Sequence, residues 1–280
     1  MTKHKALLAA IQRFAEAGSI ENRAHALRQH PELLAPETDV LLNEIETDLQ
    51  AQGMGQAVET IGRIREFLDR CRLHGIDQAF EQDRKMLELV SLRQLVGVGT
   101  MAYERYVQSG DRADLDLALR SLRRAHDQWP GGSPHRASIA NNLSGIYRAS
   151  YERSGNEDDL EDAIAFGIEA VASSPTSQEK FERHVNLASA LLVSFIRRAR
   201  NDHLRDAIEL LVPAEAALTR LGEAWRQTAH NLAGALRQRA KLSGDLDDIN
   251  RAIELHGDSA RAAPDGTAEA VLYYGGLANA

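Results

Sequence analysis

The sequence predicts an all-α fold, a solenoid of stacked helix pairs behind an N-terminal helical cap, and three observations carry that reading. The first is a period: Leu115, Leu160, Leu204 and Ile249 stand 45, 44 and 45 residues apart, which is the mark of a stacked repeat. The second is the set of columns that travels with it. Ala118, Ala163, Ala207 and Ala252 follow three residues later, each beside an aliphatic residue (Leu119, Ile164, Ile208, Ile253), so that a small side chain stands where two helix axes approach. Ala125, Ala170, Ala214 and Ser259 come seven residues beyond these alanines, and Pro130, Pro175, Thr219 and Pro264 twelve beyond. Proline there stops the second helix, since it can neither donate a hydrogen bond nor continue the turn. The third observation is composition: the chain is 43% hydrophobic but only 5% aromatic, so alanine and leucine, both strong helix formers, must build its core.

From the N-terminus, Lys3 and Lys5 precede an apolar run that imitates a secretory signal, but the run is broken at Gln12 and Arg13 and is too short for one. Leu7, Leu8, Ile11 and Phe14 instead mark one face of an amphipathic helix. Residues 1–80 do not join the repeat register and read as four short helices capping the first repeat. Pro31 and Pro36 bracket a turn around Leu33 and Leu34, then Glu37 to Gln50 and Ala57 to His74 continue as helices either side of Gly53 and Gly55. Residues 81–280 form the solenoid: a longer helix from Glu81 to Gln108, then about four repeat units and a partial last helix. Turns are expected near Gly110, Gly155, Asn201 and Gly244. Ser154-Gly155-Asn156 and Ser243-Gly244-Asp245 supply a left-handed exit followed by a polar N-cap. Pro213 stands inside the second helix of the third unit and should bend it or cut it short.

In the first helix of each unit, Val98, Leu143, Leu187, Leu232 and Leu277 share a column, each followed by a small residue. The spacing Leu143, Ser144, Tyr147, then Ala163, Gly167, Ala170, Pro175 resembles the tetratricopeptide signature, L-G-x2-Y in helix A and A-x3-F, A, P in helix B. Gly167 departs from it by replacing an aromatic residue, and no tryptophan heads helix A. The HEAT class shares the period, while the alanine and proline columns favour the tetratricopeptide pattern. The resemblance implies a right-handed α-solenoid of TPR-like helix pairs. A more particular likeness lies in YERSGNEDDLEDAI, with HPELLAPETDVLLNE and LDRCRLHGIDQAF before it. These resemble the repeat region that precedes the caspase-like CHAT protease domain of bacterial proteins. The likeness covers most of the chain, and no active-site motif accompanies it.

A net charge of −8 argues against a general nucleic-acid or membrane-surface binder, for which a basic footprint is expected. The one cysteine, Cys71, rules out an intramolecular disulfide framework and fits a reducing cytosol. No run reaches the roughly 18 apolar residues of a membrane span, so a soluble cytoplasmic protein is expected. Ten scattered histidines with no HExxH and no cysteine pair suggest neither zinc nor any other metal or cofactor. Cys71 and His74, three apart on a helix, read as a thiolate pair or, preferably, as a buried small hydrophobe beside an unrelated histidine. Gly97 and Gly99 lack the Lys-Ser/Thr of a phosphate loop, and Asp158, Asp159 and Asp162 read as helix caps. No enzymatic activity is expected of the chain itself.

One polar constellation repeats. Asn142, Asn186 and Asn231 immediately precede the leucine column, one per unit, where the first unit has Gly97. Asparagine is a mediocre helix former, so three at equivalent positions need a reason. The tetratricopeptide resemblance implies that this position faces a concave groove, where an amide can pair with the backbone of an extended peptide. The alternative is that each amide bonds the neighbouring helix and knits adjacent repeats together. By the same mapping the groove includes Arg93, Asn141, Arg148, Glu182, Gln227, His230, Arg237 and Gln238, with Thr100, Ser138, Gly145, Ser189 and Gly234 between them. Arg93, Arg148, Arg237 and His230 make this surface less acidic than the whole, so an acidic peptide or a C-terminal carboxylate is the expected guest.

Two functions follow. The first is a non-catalytic protein-interaction module that binds a peptide or partner protein in its groove. The second is the sensing arm of a CHAT-type protease whose catalytic domain lies beyond Ala280 or on a partner chain. A self-assembling solenoid is the third and weaker reading. Thr267 to Ala280 matches the start of another helix A, and Val271, Leu272, Tyr273, Tyr274 and Leu277 crowd into seven residues. Two expectations follow: that the chain is the front part of a longer protein, or that this end docks on another chain, as in self-association through the C-terminal helix.

Overall fold

The computed structural model describes residues 3–173, 177–218, 222–264 and 268–278. The fold is all-α: the described residues form helices and turns, with no strand among them. The chain divides into two compact units, Met1–Ser91 and Leu92–Ala280, with the division inside one long helix. None of the described helices is long and apolar enough to cross a membrane.

Unit 1 holds α1 (Lys3–Glu16), α2 (Ile20–Gln29), a 3₁₀ turn (Pro31–Leu34), α3 (Pro36–Ala51), α4 (Gly55–His74) and the beginning of α5 (Ile76–Ser109). Leu7, Ile11 and Phe14 recur at helical spacing and are buried with Leu27, Leu42, Phe67, Leu68 and Phe80 in one core. Local chemistry sets the helix ends. Ser19 caps α2 by accepting from Asn22 N–H, and the prolines at 31 and 36 each open the element that follows. Gly75 separates α4 from α5 at φ +88°, a conformation that disfavours any side chain. Arg72 on α4 ties α3 and the 3₁₀ turn together, donating to the Leu34 carbonyl at 3.0 Å and to both Asp39 oxygens at 2.9 and 3.0 Å. Two details add to the sequence reading: α2 is a separate helix, and α5 starts at Ile76, five residues before Glu81.

Unit 2 continues α5 and adds α6 (Arg112–Gln128), α7 (Pro134–Ser154), α8 (Glu157–Ala172), α9 (Ser177–Arg198), α10 (Asn201–Ala217), α11 (Glu223–Ser243), α12 (Leu246–Ala262) and α13 (Ala268–Ala278). Within it α7 packs on α8, α9 on α10 and α11 on α12, and each of these pairs also meets the next. The alanine columns lie at the close approaches: Ala118, Ala163, Ala207 and Ala252 are wholly buried, as are Ala125, Ala170, Ala214 and Ser259. The reason for the small residue after the leucine column is visible in two pairs. A Cβ on Gly99 would meet Leu122 Cγ at 2.6 Å and the Ala118 carbonyl at 3.3 Å. Ser144, one repeat later, uses the same proximity to donate to the Ala163 carbonyl at 2.7 Å. Tyr147 lies flat against Phe166 at 5.6 Å and accepts a hydrogen bond from Arg123, whose guanidinium covers the same ring.

Gly110, Gly155 and Gly244 adopt positive φ between paired helices, and Asp111, Asn156 and Asp245 cap the helices that follow. At the third pair the left-handed residue is Ala199 (φ 52°), followed by Arg200, so Asn201 is the first residue of α10 and not the turn itself. The shortening expected at Pro213 does not occur: α10 keeps 17 residues, as many as α6 and α12. Pro213 lies on the exposed side, where Glu209, whose carbonyl loses its partner, is exposed as well. The columns at Pro175 and Thr219 and the side chain of Leu277 lie outside the described residues.

Candidate functional site

The first helices of successive pairs touch one another, α7 with α9, α9 with α11 and α11 with α13, and the repeated asparagines sit along this line. They do different things at their equivalent positions. Asn186 on α9 donates from Nδ2 to Oδ1 of Asn141 on α7 at 2.9 Å. Asn231 on α11 donates to Ser189 Oγ on α9 at 3.2 Å, and that hydroxyl in turn donates a hydrogen bond to the Val185 carbonyl at 2.8 Å. Each of these amides thus reaches back one repeat. Asn142 is half-buried and makes no side-chain hydrogen bond among the described residues.

Asn142 instead lines a notch of about 140 Å³ together with Arg93, Val96, Trp129, His135, Ser138 and Ile139. Trp129 and His135 stack across the α6–α7 turn at 5.5 Å and 14°. The indole N–H is held by Ser133 at 3.2 Å, which fixes the ring against the turn. Arg93 is exposed and has no carboxylate partner among the described residues. Three residues mapped to the groove from sequence, Arg93, Ser138 and Asn142, are therefore in one place, beside an aromatic surface that the sequence reading did not include. Such a notch can take an apolar side chain on Trp129 while a carboxylate meets Arg93.

The other mapped residues spread along the unit. Arg148 pairs with Glu152 one turn on at 2.5 Å. Glu182 and Gln227 are exposed, while Arg237 and Gln238 are half-buried on α11. The His230 ring lies 5.0 Å from His256 and 5.2 Å from Tyr273, inside the packing of α11, α12 and α13. Burial lowers its pKa, as it lowers that of His256, which falls to about 4. His256 is 1% exposed, both its ring nitrogens lack hydrogen-bond partners among the described residues, and Gly276 of α13 sits directly against the ring. On the other side of α13, Val271, Leu272 and Tyr274 are 73%, 55% and 55% exposed.

Several working residues carried no obvious sequence signal. Arg136 donates to the carbonyls of His126 and Trp129 at the end of α6, and Arg183 to those of Ala170 and Ser173 at the end of α8. A cation there satisfies carbonyls the helix leaves open. Arg136 also binds Glu169, which accepts from His126 at 2.9 Å and is kept ionised at lower pH by both partners despite its burial. Ser194 and His203 stand 2.8 Å apart, but the serine is wholly buried and no substrate can reach its oxygen. The Cys71 thiol is buried too, and desolvation pushes its pKa up to about 11, away from thiolate chemistry. Among the described residues no group of three or more His, Cys, Asp or Glu is placed to hold a metal ion. The chain matches no protein-family model and no curated protein.

Proposed function

We propose that the chain is a non-catalytic protein-interaction module, a right-handed TPR-like α-solenoid that holds an extended peptide or partner segment along the first helices of its repeats. The observation that carries this reading is the notch of Arg93, Trp129, His135, Ser138 and Asn142. It joins a cation without a carboxylate partner and an amide without a hydrogen-bond partner among the described residues to an aromatic wall, which together suit a peptide with an acidic group beside an apolar one. An acidic segment or a C-terminal carboxylate fits best. The test is affinity capture from the native host with wild type beside Arg93→Glu and Asn142→Ala. Partners retained by wild type and lost from both variants, at unchanged melting temperature, are expected. Equal retention by all three would remove the notch from the binding site.

Self-association through α13 is a second reading, favoured by the exposure of Val271, Leu272 and Tyr274. Light scattering across concentrations, on wild type and on Val271→Glu with Leu272→Glu, tests it. A mass independent of concentration and of the substitutions would end it.

A further inference from the structure

A cavity lined only by residues of unit 1 has about 450 Å³ of space, within the range of small-molecule sites. Its inner wall is apolar: Phe14, Ile64, Phe67 and Phe80 are buried, with Phe14 stacked on Phe67 at 5.8 Å and Phe80 edge-on to Phe67 at 4.7 Å. Its outer wall is cationic. Arg23, Arg63 and Arg70 line it against two carboxylates, Glu66 and Asp83, in a chain whose net charge is −8.

The three arginines are not equally committed. Arg70 is engaged twice, with Asp83 at 2.6 Å and over the Phe67 ring at 5.4 Å, and so serves the wall itself. Among the described residues Arg63 pairs only with Glu59 one turn back, and both side chains are largely exposed (73% and 65%), a pairing of little worth that a ligand can replace. Arg23 gives its Nε–H to the Ala17 carbonyl at 3.2 Å and has no carboxylate partner among the described residues. A guanidinium carries five N–H donors, so most of its fork is left for an anion.

We propose that this cavity binds a small amphipathic monocarboxylate, its carboxylate held by Arg23 and Arg63 and its hydrocarbon part lying on the phenylalanine wall. Charge and shape favour this class of ligand. The lining sets three guanidinium groups against two carboxylates, a balance that suits an anion better than a cation, and a fully polar anion would leave the ring wall unused. The site is independent of the peptide notch: no residue is shared between them.

Octanoate is a suitable probe, titrated calorimetrically into the full chain beside octan-1-ol and octylammonium. Saturable binding of octanoate is expected, with much weaker binding of the alcohol and none of the ammonium. Arg23→Gln should weaken octanoate at least about tenfold, the worth of one charge-assisted hydrogen bond. Thr60→Trp, at an exposed lining position, should abolish binding by filling the space. No saturable heat, octylammonium binding as tight as octanoate, or octanoate affinity unchanged in both variants would overturn the proposal.

Discussion

The two units bury their apolar residues in opposite ways. Unit 2 places a wholly buried alanine on the second helix of each pair, at positions 118, 163, 207 and 252, so its helices meet at short range through a motif that repeats. Unit 1 fills its centre with leucine, isoleucine and phenylalanine of unlike shape, including Leu27, Leu42, Phe67 and Leu68, and no column recurs. Small residues at a fixed period make close contact by arithmetic, whereas large ones must find a mutual fit. The second strategy also leaves gaps, and the cavity beside Phe67 is one.

The largest expected effect tests the division between units. Leu42→Ala, at a side chain with no exposure, should cost about 4 kcal/mol in unit 1. Amide hydrogen exchange should quicken across residues 3–91 and stay unchanged in the helices of unit 2; uniform quickening would break the two-unit picture.

Ala163→Leu makes the reverse test. The added carbons have no room beside Ser144, which donates to the Ala163 carbonyl, and overpacking should cost about 3 kcal/mol. Denaturant melts reporting on Trp129 and Trp225 would register it, and a neutral result would mean that α7 and α8 are not so close.

A third effect is pH-dependent and belongs to α11–α13. Burial, His230 and Arg237 hold the His256 pKa at about 4 against 6.5 when free. The unfolded chain therefore takes up a proton that the folded one refuses. The associated stability is complete above pH 6.5 and is lost as pH falls towards 4, by about 3 kcal/mol. Urea melts at pH 7 and pH 4.5 should show this loss, and His256→Leu should flatten it.

The smallest effect divides the asparagine column. Asn186→Ala should lower stability by about 1 kcal/mol, because it strips a hydrogen bond between α9 and α7. Asn142→Ala, with no such bond, should leave the melting temperature in place and act on partner binding alone. Equal effects of both on stability would assign the whole column to knitting.

Read from sequence alone, the helix pairs, their turns at Gly110, Gly155 and Gly244 and the buried alanines were legible, because each depends on a local rule repeated at a fixed interval: a left-handed exit, a polar cap, a small side chain at a crossing. The third turn, expected near Asn201, was legible in place but not in its left-handed residue, Ala199, since an alanine at positive φ carries no sign of itself. That Pro213 would not shorten α10 was illegible for a related reason, as its effect depends on which side of α10 meets water. The asparagine column was visible as a pattern but not in its roles. Whether an amide meets Asn141, Ser189 or an open notch depends on the stagger between adjacent helices, which no single helix encodes. The phenylalanine cavity of unit 1 lay furthest from view: Phe14, Phe67 and Phe80 come from three helices, and only the folded chain brings their rings and Arg23 to one place.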